Sequence, residues 1–413
     1  MRSIAQPART PWAIWLMGLY VVLLLTLPVD FGVSVGAVIV TPARVVLLAA
    51  VVLALVGWRS WLVALRSVPR LIWVGWLALL GAALATAVLA PSSASWARYG
   101  SLVGEGLVVF ALVWNAATVP GGLRPLVAVF AAIVVAVAGA VLLLTVLGIR
   151  YDHVLADLSG TAPIPDSAAR YGFERQPGPF RAPLFFAIWL TAASALLLPA
   201  LAGGSRRLRW LAFAAWLVLL VAVFSLTTSR LAMTAMFFLP GVYFLARGPR
   251  LIGAGCLIAA AVIAISVSVV PANPVIGDST TMRLSAIDAA LQAIRERPLF
   301  GWGLLSDKTV LSGIVGKQNF VDDTYLSLAV ETGVAGLSAF ALLAASILGA
   351  TRRAWGSAQG LALTIAVAGV LGMGAFASVF QETQGYAAFF VLAALAVAAA
   401  VRADRKAQPA AAI

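Results

Sequence analysis

Two adjacent carboxylates, Asp322 and Asp323, open the apolar run TYLSLAVETGVAGL, and a third acid, Glu331, lies within it. Two such acids suit deprotonation or orientation of an attacking hydroxyl, the work of a general base. A free carboxylate is a weak base, with an ordinary pKa of about 3.9, and a like-charged neighbour out of water is one thing that strengthens it. Either of the two aspartates, Asp322 or Asp323, or Thr324, would equally cap the helix that starts there. Glu331 follows Asp323 by about two helical turns and so shares its side of that helix. It reads either as a substrate-facing acid or as a buried partner of a neighbouring helix. Arg175, Arg181, Arg230 and Arg283 form the opposite constellation. Arginine stays charged at any usable pH, and its planar fork grips phosphate bidentately. Four such forks suit a diphosphate, although Arg230 in FSLTTSRLAM could also be an interfacial side chain reaching for water. His153 is a solvated loop histidine or an alternative base. Glu105 is a further acid at membrane depth with a lining or structural role.

The surrounding chain must hold these groups at a membrane. Of 413 residues 62% are hydrophobic and only 10% charged, which is the composition of a polytopic membrane protein. We read an all-α integral membrane protein, a single polytopic domain over residues 1–413. Its twelve apolar stretches centre near residues 20, 50, 80, 110, 136, 193, 217, 238, 261, 338, 369 and 393. With both termini cytoplasmic, every inward segment is basic: Arg2 and Arg9, Arg59 to Arg70, Arg124, Arg206 to Arg209, Arg247 and Arg250, Arg352 and Arg353, and Arg402 to Lys406. Against that rule, ten cations gather outside: Arg150, Arg170, Arg175 and Arg181; Arg230; and Arg283, Arg295, Arg297, Lys308 and Lys317. The outer loops 148–182 and 271–325 are therefore the expected active-site region. The second holds an amphipathic helix between the ninth and tenth spans. Leu284, Ile287, Leu291 and Ile294 form its apolar face, Ser279, Thr280 or Thr281 its cap and Pro298 its end. Gly301 and Gly303 then turn the chain.

Some classes are excluded. One cysteine and one histidine leave no disulfide framework and no multi-histidine metal site. There is no GxSxG, Walker A or HExxH pattern and no carboxylate cluster for magnesium, so neither metal nor cofactor is expected. The net charge of +13 is spread over helix ends without a basic run interleaved with aromatics, so nucleic acid is not a partner. Trp12, Trp15, Trp58, Trp61, Trp96 and Trp302 lie near helix ends, as interface anchors do.

The order of LTTSRLAM, MRLSAIDAALQAIRERPLFGWG and VDDTYLSLAVETGVAGL resembles the O-antigen ligase and polymerase superfamily, over roughly Arg175 to Ala345, with RQPGPFRAP as a weaker upstream element. The resemblance implies a GT-C-type glycosyltransferase of the bacterial cytoplasmic membrane. Such an enzyme takes a glycan from a polyprenyl (undecaprenyl) diphosphate donor on the outer face, without metal and with inversion, and passes it to a glycan or lipid-linked acceptor among membrane lipids. Arg230 matches the arginine of the SR element and Arg283 the one opening the loop helix. Asp322 stands where ligases of the family carry histidine, closer to polymerase-like members, so polymerisation is favoured over transfer to lipid A. Tyr325 follows as part of the matching YL element. A transporter or flippase for an anionic lipid-linked glycan is the competing class.

Overall fold

Each of the twelve expected centres falls inside a helix of the computed structural model, which describes residues 12–28, 31–35, 38–90, 96, 99–159, 175–180, 182–269, 274–315, 323–377 and 383–407. The helices are α1 (Trp12–Thr26), α2 (Pro42–Val56), α3 (Trp58–Arg66), α4 (Arg70–Leu89), α5 (Gly106–Thr118), α6 (Leu123–Val146), α7 (Tyr151–Ser159) and α8 (Pro183–Gly203). They continue with α9 (Arg206–Ala222), α10 (Arg230–Arg247), α11 (Arg250–Val269), α12 (Pro274–Glu296), α13 (Asp307–Val315), α14 (Thr324–Thr351), α15 (Ala358–Gly374) and α16 (Thr383–Ala407). Among the described residues six helices are long and apolar enough to cross a membrane: α4, α6, α8, α9 with the turn after it, α14 and α16. Helices α1, α2, α5, α11 and α15 are apolar but shorter, and α10 is bounded by an arginine at each end. One departure from an all-α chain is a short antiparallel ribbon, Val33–Val35 with Val38–Val40, between α1 and α2.

Local chemistry sets the helix starts. Side-chain oxygens of Thr41, Ser205, Ser229, Asp323 and Ser357 accept first-turn N–H groups of α2, α9, α10, α14 and α15, and Pro42 and Pro183 pre-set the first turns of α2 and α8. Helix α16 is the centre of the bundle. Its segment Ala387–Ala400 is buried on every side, and its alanines let α5 and α15 pack closely against it.

Polar bonds between sequence-distant helix ends fall into two groups. At one end Arg402 reaches Val119 O (2.5 Å), Arg353 pairs with Asp404 (2.9 Å) and Arg247 donates to Trp355 O (2.8 Å). At the other, Tyr151 donates to Thr26 O (2.9 Å), Gln384 to Leu24 O and Leu27 O, Thr324 to Ala377 O (2.6 Å) and Thr86 to Phe300 O (3.1 Å). The first group contains the ends expected inside, the second those expected outside.

The segment between α11 and α14 corrects the expected loop helix twice. Helix α12 starts at Pro274 and runs through Ser279–Thr281, so none of these caps it; proline suits a first helical turn. Its buried stripe is Ala286, Ala289, Ala290 and Ala293, packed with Leu311 and Val330 in a small core separate from the main one. Leu284, Ile287 and Leu291 face outward instead. Small residues won that interface because α12 must lie close to both α13 and α14.

Candidate active site

The first group of site residues forms where the RQPGPF loop meets the end of α9. There the chain leaves α9 through a π-turn, Val223–Thr227, passes Thr228 in a left-handed conformation (φ 45°, ψ 31°), and starts α10 at the Ser229 cap. Such π-turns often mark functional sites. Two bonds fasten the loop to this turn: Gln176 N–H donates to Leu226 O (2.7 Å) and Arg175 Nε to Thr227 O (3.0 Å). Arg175 thus sits beside the turn that carries Arg230 on the first residue of α10, where the helix dipole also favours an anion. Arg170 and Arg181 lie outside the described residues.

The second group is built around a break in α14. Gly333 has φ 66° and ψ −168°, so the helix is interrupted one turn beyond Val330 and the ladder leaves carbonyls and N–H groups open. The turn after α12 closes them. Trp302 N–H donates to Val330 O (2.9 Å) and Gly303 N–H to Glu331 O (3.0 Å), while Val334 N–H donates to Pro298 O (2.8 Å) and Ala335 N–H to Leu299 O (3.1 Å). The fit is close enough to demand glycine on both sides. A Cβ on Gly301 would stand 2.5 Å from Glu331 O, and one on Gly333 2.3 Å from Leu299 O. The expected turn at Gly301 and Gly303 is present, with φ of 65° and 114°. Trp302 is a peg in this joint rather than an interface anchor: its Nε1 donates to Ala293 O (2.9 Å) and Arg297 stacks over its ring (4.4 Å).

At the mouth of α14, Asp323 is the cap. Its Oδ1 accepts from Tyr325 N–H (2.8 Å) and Leu326 N–H (3.0 Å). Asp322 lies outside the described residues. The Tyr325 hydroxyl donates to Leu371 O at 2.5 Å, tying α14 to α15. Ser327 and Glu331 follow Asp323 at successive helical turns, both buried. Ser327 Oγ donates to Asp307 Oδ2 (3.0 Å), a buried carboxylate in the first turn of α13. Sequence reasoning missed Asp307, since a lone acid at a helix start looks like an ordinary cap. Helix α15 packs against both α10 and α14 and so links the two groups.

The remaining candidates are placed separately. Arg283 is exposed on α12, and His153 is exposed on α7. Arg150 is committed to Asp152 in a 2.8 Å ion pair, and burial raises the hydroxyl pKa of the adjacent Tyr151. Glu105 has a partner that sequence reasoning did not name: Arg44 donates to its Oε2 through Nε (3.1 Å) and Nη2 (2.9 Å). Among the described residues no group of three acids, histidines or cysteines could hold a metal ion.

With this geometry in place, comparison with known families is specific. Residues 213–341 match the model of the O-antigen ligase family. Over that segment the chain is similar to the O-antigen ligase family. The match spans most of α9, the Thr228–Arg230 turn, α10 to α13 and the broken start of α14, so the matched segment takes in the Arg230 turn and the Gly333 joint together. The RQPGPF loop lies upstream of it. A search of curated proteins found no match for the chain. The match over residues 213–341 and the several apolar helices point to a multi-pass membrane protein.

Proposed function

We propose that the protein is a membrane glycosyltransferase that polymerises a glycan carried on a polyprenyl diphosphate, at the outer face of the bacterial cytoplasmic membrane. The observation that carries this reading is the fastening of the Arg175 loop to the turn bearing Arg230. It gathers two guanidinium-bearing residues at a helix N-terminus, a suitable seat for a diphosphate leaving group. Charge that develops on the diphosphate as the anomeric bond breaks is stabilised by such preorganised donors, and no metal is required. Arg283, exposed on α12, and Arg181 are further diphosphate-binding candidates in this reading, while Tyr325 and Glu331 shape the acceptor side.

Asp323 spends one carboxylate oxygen on two backbone N–H groups, so we assign the acceptor hydroxyl to Asp322, as base or orienting group. Attack from the face opposite the diphosphate inverts the anomeric centre, and the proton leaves with the base. The grouping of inside and outside helix ends supports twelve spans with both termini cytoplasmic and the site on the outer side.

One observation favours the transporter reading: α14 is broken at Gly333, and broken helices are a device of transporters. Here the broken ladder is closed by the chain's own backbone, which suits a fixed joint better than an ion site. Mass analysis of lipid-linked glycans in a deletion strain separates the possibilities. Single repeat units on the carrier indicate a lost polymerase, complete polymers on the carrier a lost ligase, and repeat units confined to the inner leaflet a lost flippase.

A further inference from the structure

We infer that the Thr228 hydroxyl is a ligand-contacting group that donates to a phosphoryl oxygen of the lipid diphosphate. The inference rests on the clamp reading above and adds to it a residue of a different type. Three observations meet at this position. Thr228 is 1% exposed, and its Oγ1 has no hydrogen-bond partner among the described residues. A buried hydroxyl without a partner is costly, and such groups are uncommon in folded proteins. Second, its backbone is left-handed (φ 45°). Glycine and asparagine tolerate that region, whereas a β-branched residue there is an outlier, and such strain collects at functional sites.

Third, the neighbourhood is that of an anion seat. Thr228 directly precedes the Ser229 cap of the 18-residue helix α10, whose first N–H groups point toward it. Arg230 follows, and Arg175 is bonded to the carbonyl just before Thr228. From the loop side, Gln176 is buried with its Oε1 also lacking a partner among the described residues. Two buried polar side chains without partners among the described residues thus lie on two segments that the Gln176–Leu226 and Arg175–Thr227 bonds hold together. A hydroxyl at a helix N-terminus between two guanidinium-bearing residues has one natural occupant, an oxygen of an anion such as phosphate.

The test compares substitutions that vary the hydroxyl and the strain independently. Thr228→Ser keeps the hydroxyl, Thr228→Ala removes it while keeping a Cβ in the strained region, and Thr228→Gly removes both hydroxyl and strain. Full-length protein in micelles is titrated calorimetrically with farnesyl diphosphate as probe and farnesol as control for the chain. We expect the Ser variant to bind within about threefold of the unmodified protein. The Ala and Gly variants should bind roughly 10- to 100-fold more weakly, as loss of a hydrogen bond to a charged group implies. The Gly variant should melt no lower than the unmodified protein, because it is relieved of strain. Equal affinity of the Ser and Ala variants overturns the role of Thr228. Arg230→Ala is run alongside: if it weakens binding while Ser and Ala are alike, only Thr228 is misassigned, and if it too binds normally the clamp itself is refuted.

Discussion

Replacing Gly333 with alanine should undock the segment between α11 and α14 from the helix bundle. At φ 66° and ψ −168° the residue occupies a region open in practice to glycine alone, at a strain of about 1–3 kcal/mol for any other residue. The added Cβ would also sit 2.3 Å from Leu299 O and 2.6 Å from Phe300 N, both backbone atoms that cannot step aside. Relief requires the 298–303 turn to move away, and that breaks the four bonds closing the joint, from Trp302, Gly303, Val334 and Ala335. At a net ~1 kcal/mol each, these bonds amount to about 4 kcal/mol, given up in exchange for relief of the strain. Their loss corresponds to a local opening made easier by up to about three orders of magnitude. Hydrogen exchange followed by mass spectrometry reads this directly. Peptides covering 298–315 and 328–336 should lose protection by about that factor in Gly333→Ala, while α8 and α16 remain as protected as before. Unchanged protection in those peptides would refute the joint as the element that fixes the loop.

Other substitutions separate roles that the residue types leave mixed. Asp323→Asn should keep stability and most activity, since asparagine caps almost as well, while Asp323→Ala should cost about 1 kcal/mol in thermal or denaturant melts; Asp322→Asn should lower turnover by 10²-fold or more, the scale of a general base. Arg44→Ala leaves Glu105, which is 11% exposed, without its counter-ion. We expect a loss of about 3–5 kcal/mol in detergent stability, largely recovered when Glu105→Leu is added. Ser327→Ala removes one bond to the buried Asp307 carboxylate. It should destabilise α13 docking by about 1–3 kcal/mol, visible as faster proteolysis near residue 315.

The elements that read well from the sequence were those set by local chemistry. Each of the twelve apolar runs fell within a helix, because an apolar run of that length is read from consecutive residues alone. The loop helix was legible as a helix but not in its orientation. Hydrophobicity picked out Leu284, Ile287 and Leu291, whereas close packing against α14 required the alanines between them. The break in α14 was hidden because an unbroken apolar run carries no mark of a ladder that changes partners, although Gly333 beside Glu331 was a usable signal. Likewise, Arg44 was discoverable. An acid at membrane depth requires a partner, and a search for the partner of Glu105 leads to the arginine at the start of α2. Asp307 and Thr228 had no such signal, since each depends on what another segment brings or fails to bring.

The central claim is that this chain makes a glycosidic bond from a diphosphate-linked donor. Purified protein is reconstituted in proteoliposomes with a polyprenyl-diphosphate repeat unit, in the presence of a chelator and without any ion gradient, and the lipid-linked products are sized by mass spectrometry. We predict chains of two or more repeats with release of free polyprenyl diphosphate, and no such products from Arg230→Ala or Arg283→Ala protein that inserts normally. Movement of intact repeat units between leaflets with no new bond formed would contradict the account.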